Sequence, residues 1–124
     1  AWVTYGADTA NSRGTSVPKA ANGFGAWTQI GTTSRNHNLW TVGYGGLSDT
    51  AFTGATSILI EIGYGPNAGA VVSIGVVQAH ETLNEAISGV FPPILTFSVA
   101  SGSILWARLA GDAVENRGII IYGN

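Results

Sequence analysis

The histidines are the first residues to test for chemistry, because imidazole serves both as a general base and as a metal ligand. The chain has two, His37 and His80, far apart in sequence, and neither has an acidic or histidine neighbour at metal-ligand spacing on one element. His80 and Glu81 are adjacent, but adjacent residues of a strand point to opposite faces of the sheet. We therefore predict polar loop histidines with no catalytic and no metal-binding role.

Serine, carboxylate and thiol chemistry find no better support. The G-x-S-x-G nucleophile elbow is absent, and Ser103 lies in a predicted hairpin with no helix after it. Glycoside hydrolysis needs two acids in one cleft, whereas the acids fall mostly in predicted connections, with Glu61 the exception on a strand. The count of zero cysteines excludes a thiol nucleophile, a disulfide scaffold and thiolate-bound metal. The sequence thus predicts a protein that is not an enzyme and needs no cofactor.

The aromatic residues have a chemistry of their own, because a flat apolar ring suits the C–H face of a sugar. Trp27, Trp40 and Trp106 fall on predicted strands, and we expect them to fill the core or a subunit interface, where aromatic residues are enriched. Arg108 has mostly apolar neighbours, so we expect it to be paired at an interface or to lie along an apolar surface. The residues predicted to form an interface or a glycan platform are Trp40, Tyr44, Tyr64, Trp106 and Arg108.

Alternating apolar residues predict strands along most of the chain. The runs are 26–30, 39–44, 57–62, 71–78, 94–99, 104–110 and 117–122, separated by Gly, Pro, Asn and Asp clusters. A tight hairpin is expected at 100–103, where glycine supplies a positive φ. The one helix candidate, 79–88, is better explained as a long connection with one short helical turn. This spacing predicts an all-β fold, a two-sheet antiparallel sandwich of the jelly-roll type.

Residues 1–25 differ from the rest of the chain. They are polar and rich in Gly and Ala, and Trp2, Val3 and Tyr5 are the large residues that precede Val17. A free segment of this kind stays disordered unless a partner orders it. We predict an extended N-terminal arm at 1–25, with partner contacts through Trp2, Val3 and Tyr5, and a single sandwich domain at 26–124.

Charge is the most informative part of the composition. Charged residues make up 10 % of the 124 residues, where a soluble domain carries about a quarter. Five cations and a net charge of −2 argue against a nucleic-acid partner that is held by its phosphates. No apolar run approaches the ~20 residues of a membrane helix, so no membrane partner is expected. A surface this poor in charge is normally covered by other protein, which predicts an assembly with copies of itself or with a partner.

The C-terminal half resembles a set of small β-sandwich proteins that tailed bacteriophages carry as parts of the virion. The resemblance lies in residues 60–65, a strand that ends in glycine-spaced residues, and in 92–108, where Pro92-Pro93 precedes a strand, an Ala-Ser-Gly-Ser hairpin and a second strand. It covers residues 15–124, and Trp106 stands where a smaller apolar residue is more usual. The resemblance implies a jelly-roll-like protein, often trimeric, that decorates or cements a capsid or forms part of a tail.

Three functions follow as hypotheses. The first is a capsid decoration or cement protein, a homotrimer located in the virion, whose partners are its own copies and the major capsid protein or neighbouring virion proteins. The alternative is a tail or fibre module that binds a receptor or a cell-surface glycan through exposed tryptophans. A small hydrolase on the same fold is the third, and it needs a cleft where His37 or His80 meets a carboxylate.

Overall fold

The structure is a computed structural model and describes residues 1–7, 14–45, 56–81, 94–111 and 115–124. Within these ranges the chain forms nine strands and no helix, which confirms the predicted all-β fold. The strands are β1 (Val3–Tyr5), β2 (Thr15–Ala21), β3 (Thr28–Thr32), β4 (His37–Gly45), β5 (Thr56–Tyr64), β6 (Val72–Glu81), β7 (Leu95–Val99), β8 (Ile104–Gly111) and β9 (Glu115–Gly123). Of the helix candidate at 79–88, residues 79–81 end β6 and the remainder lies outside the described residues.

The strands form a mixed sheet in the order β6-β5-β8-β2-β9-β4-β7, with β1 also paired to β9 and β3 to β8. The pairing of β2 with β8 is parallel, whereas β2 with β9 is antiparallel. The end strands β6 and β7 approach each other, since a Cβ added at Gly75 would lie 2.8 Å from Leu95 Cδ1. The sheet is therefore nearly a barrel. The predicted two-sheet antiparallel sandwich is not confirmed, because β2 connects the two halves of the sheet.

The N-terminal segment departs from the predicted free arm. Residues 3–5 pair with 121–123 and residues 15–19 pair with 115–119, so β1 and β2 follow one another along β9. Gly6 and Gly14, both with positive φ, stand where β1 ends and β2 begins, and the Thr15 hydroxyl donates to the Gly6 carbonyl at 2.9 Å. Residues 3–5 and 15–21 thus belong to the sheet of their own chain, because pairing with β9 satisfies their backbone groups.

The core lies between the inward faces of these strands. Alternate residues of β5 and β8 are fully buried, as the apolar pattern predicts: Ile58, Ile60, Ile62, Leu105, Ala107 and Leu109. On β7, Val99 is buried while Leu95 and Phe97 are half-buried against the core, and Thr96 and Ser98 face outward. The hairpin at 100–103 also forms as predicted, with Gly102 at φ +84°. The strands that alternation predicts in the middle and at the end of the chain are therefore confirmed.

We expect Gly14→Ala to destabilise the fold by at least about 3 kcal/mol. Gly14 has φ +92°, and a Cβ there would lie 2.6 Å from the Ile119 carbonyl oxygen, which belongs to the β9 backbone and cannot move aside. Gly102→Ala is the matched control, because its φ is +84° but nothing lies within 4 Å of the added Cβ. Gly102→Ala should lower the free energy of unfolding only by the strain of the backbone angle, about 1 kcal/mol. Urea unfolding measures both, and equal losses would contradict the packing of Gly14 on β9.

Candidate interaction surface

Of the five charged side chains that the structure describes, three are buried. Lys19 and Arg117 point inward from β2 and β9 and are each 1 % exposed, and Glu61 is 8 % exposed. The Lys19 stem crosses Gly111 so closely that a Cβ there would lie 2.6 Å from Lys19 Cδ. Among the side chains that the structure describes, the charges that reach solvent are therefore those of Arg35 and part of Arg108.

Arg108 is held on the outside of the sheet by an ion pair and two aromatic rings. It lies opposite Glu61 on the neighbouring strand β5, and its Nε is 2.5 Å from Glu61 Oε1. The guanidinium carbon lies 4.6 Å from the centre of the Phe24 ring and 4.4 Å from that of Trp27. A planar guanidinium suits both contacts, because it stacks on aromatic faces while its edge binds a carboxylate. Arg108 is thus paired within its own chain, and its predicted role at an interface stays a prediction.

Apolar side chains surround this pair on the same side of the sheet. Since Ile58, Ile60 and Ile62 fill the core, Leu59 and Glu61 point the other way. Leu59 lies opposite Gln78, and Glu61 lies opposite Val76. Leu59 is 39 % and Val76 45 % exposed. We call this surface the outer face and define it by Leu59, Glu61, Val76, Gln78 and Arg108.

The outer face combines two exposed apolar side chains, Leu59 and Val76, with Gln78 and a charge pair whose acid and base neutralise each other. Beside it lies a depression of about 490 Å³, lined in part by Phe24, Leu59, Gln78 and Ala110. Exposed apolar side chains around a neutral centre are the kind of surface that fits another uncharged protein surface. We therefore take the outer face as the candidate interaction surface.

The residues predicted as an interface or glycan platform do not come together. Trp40 is fully buried and its Nε1 donates to the Phe97 carbonyl at 2.8 Å, which removes Trp40 from any exposed platform. Trp106 is 9 % exposed, and its Nε1 donates to the Gly65 carbonyl at 2.8 Å. Tyr64 is half-buried with its ring centre 5.6 Å from that of Phe97, and the Tyr44 side chain lies outside the described residues. Of the set, Arg108 is the member that contributes to the outer face.

The residues predicted for partner contact by the arm divide into two kinds. Trp2 is 42 % exposed and remains available to a partner. Val3 packs against the core, and Tyr5 is 7 % exposed, with its hydroxyl 2.6 Å from His37 Nε2. Pairing with β9 thus places both side chains against the core of their own chain, and partner contact through Val3 and Tyr5 stays a prediction.

His37 also differs from its prediction. It opens β4 and is 3 % exposed, so it is a buried strand residue and not a polar loop residue. Burial, and secondly the charge of Arg35, hold the pKa of His37 below its ordinary value of 6.5. His80 lies on β6, and its side chain is outside the described residues. The alternation in residues 57–62 predicted that Leu59 points away from the core. Nothing in the sequence predicted that Phe24 and Trp27 lie beside Arg108.

Among the described residues, no group of three or more His, Cys, Asp or Glu side chains is placed to hold a metal ion. The same residues contain no helix of the length and apolar character that crossing a membrane requires. Comparison of the chain with models of protein families, with curated proteins and with solved structures gave no match.

We expect Arg108→Met to lower the free energy of unfolding by about 2 kcal/mol, because it leaves the Glu61 carboxylate buried without its partner. The figure is below that for a fully enclosed pair, since the Arg108 side chain is 32 % exposed. The double variant Glu61→Gln/Arg108→Met removes the stranded charge and should recover part of the loss. Urea unfolding of the single and double variants measures this coupling. Strictly additive losses would contradict a functioning Glu61–Arg108 pair.

Proposed function

We propose that the protein is a non-enzymatic structural component of a bacteriophage virion, a decoration or cement protein that stabilises the capsid as a homo-oligomer. A trimer is the expected state. One observation carries the assembly part of this proposal: the outer face exposes Leu59 and Val76 around a charge pair that is neutralised within the chain. The virion part is supported by the resemblance of residues 60–65 and 92–108 to small phage proteins.

The physical basis of the assembly is burial of apolar surface in the absence of charge repulsion. Each Å² of apolar surface removed from water contributes about 25 cal/mol, and part of this gain is offset by the cost of association. The paired charges of Glu61 and Arg108 need no countercharge from the partner, so an uncharged surface of a neighbouring copy can pack against them. Trp2, which is exposed near the start of β1, supplies a further contact to a neighbour.

The finer description of the fold belongs to the same proposal. We propose that the near-barrel is a jelly-roll-like sandwich, with β6, β5, β8 and β3 forming one layer and β7, β4, β9 and β1 the other. Support comes from the pairing of strands within each group and from the position of β2, which pairs with β8 of one group and β9 of the other. In this description β2 bridges two layers of a jelly roll.

The alternative, a tail or fibre module for receptors or glycans, has less support. A glycan platform needs exposed ring faces, whereas Trp40 is buried in the core and the Trp27 ring is occupied by the Arg108 guanidinium. A glycan array separates the two hypotheses, because a cement protein binds no saccharide and a receptor module does.

We expect Val76→Asp to dissociate the oligomer, because it places an unpaired carboxylate beside Glu61 on the outer face. Ile94→Asp is the matched control: Ile94 is 60 % exposed, so it receives the same charge at another exposed apolar position. Sedimentation velocity should show a fall in mass for the first variant and none for the second. If neither variant dissociates, or if both dissociate to the same extent, the outer face is not the interface. Circular dichroism checks that both variants remain folded.

A further inference from the structure

The strand β1 is tied to the sheet at its last residue by a buried hydrogen bond. The Tyr5 hydroxyl lies 2.6 Å from His37 Nε2, and the Ser34 N–H donates to the same oxygen at 3.1 Å. Tyr5 and His37 are 7 % and 3 % exposed. The His37 ring meets the rings of Tyr5 and Trp40 edge to face, at centroid distances of 5.5 and 5.2 Å. This contact joins β1 to β4 across the end of β9.

The Tyr5–His37 contact is more stable with a neutral His37 ring than with a charged one. His37 Nδ1 is buried and has no hydrogen-bond partner among the described residues. A neutral ring leaves one nitrogen unpaired there, but an imidazolium would bury a charged N–H donor without an acceptor. Burial therefore disfavours protonation of His37 while β1 is docked, and this penalty disappears once the ring reaches water.

Among the described residues, the surroundings of His37 provide a nearby positive charge and no acidic side chain to offset it. The groups packed around it are Tyr5 from β1, Ser34 and Arg35 from the segment before β4, Trp40 from β4, Val99 from β7 and Gly123 from β9. The cavity of about 490 Å³ beside the ring is lined by uncharged side chains, among them Asn36, Asn38 and Ser98. The main-chain oxygen of Asn124 there already accepts the N–H groups of Asn38 and Leu39, at 3.0 Å each. Arg35 is thus the charged side chain facing His37 in the described part of the chain, and it opposes protonation.

We propose that the Tyr5–His37 contact is a proton-sensitive latch, which holds β1 on β9 at neutral pH and releases it when His37 is protonated. The release is local because β1 has three residues and pairs in the described structure with β9 alone, whereas β9 keeps its pairing with β2 and β4. The latch goes beyond the proposed function and does not depend on it.

The direction of the pH dependence follows from the lowered pKa of the docked ring. The undocked state binds a proton below the ordinary value of 6.5, and the docked state does so only at lower pH. The equilibrium constant for docking of β1 therefore has its full value above about pH 6.5. It falls as the pH drops below that value, by up to about tenfold per pH unit, until the docked ring itself titrates.

Hydrogen exchange followed by mass spectrometry at about pH 7.5 and about pH 5, corrected for intrinsic rates, tests the latch. We expect exchange of residues 3–5 to rise about tenfold at the lower pH while residues 104–111 stay protected. His37→Gln should abolish this response, and His80→Gln, at the other of the two histidines, should retain it. Tyr5→Phe should raise exchange of β1 at both pH values, because it removes the hydroxyl.

If His37→Gln does not fold, an NMR titration of the wild-type protein still tests the latch. The pH at which the His37 ring titrates must coincide with the pH at which β1 opens. Three results would overturn the latch: separate midpoints, the same pH response in His37→Gln, or opening of 104–111 in step with β1. The last would indicate global unfolding in place of local release.

Discussion

The pairing of β9 on both of its edges is the constraint on which the rest of the structure depends. On one side β9 pairs with β4, and on the other it pairs with β1 and then with β2. Its consecutive isoleucines, Ile119, Ile120 and Ile121, are 0, 8 and 0 % exposed. Because β2 continues past β9 into a parallel pairing with β8, the same strand connects the two halves of the sheet and brings it close to a barrel.

This constraint also determines where the charges go. Pairing in register with β9 turns Lys19 of β2 and Arg117 of β9 toward the interior, so two of the five cations of the chain leave the surface. On the outside, Arg108 is neutralised by Glu61 and covered by two aromatic rings. Beside this pair, Leu59 and Val76 expose apolar surface. A surface of this kind gains by contact with another protein and loses little by leaving water, which is the physical reason for proposing an assembly protein.

Runs of alternating or β-branched apolar residues were enough to predict β3 to β9, although the three consecutive isoleucines of β9 are all buried. Alternation failed for β2, where Pro18 and the inward-facing Lys19 interrupt the pattern, and for β1, which is too short to show one. The single mixed sheet was also out of reach, since the parallel contact of β2 with β8 joins residues about ninety positions apart. For the same reason the sequence indicated an unusual environment for Arg108 but not that Phe24 and Trp27 provide it.

The mass of the wild-type protein in solution, measured by light scattering over a dilution series, tests the central claim most directly. The account predicts a particle of a small whole-number multiple of the 12.7 kDa chain, with three as the expected number. A particle of one chain that stays monodisperse and soluble at every concentration, and adheres to no phage head, would contradict it.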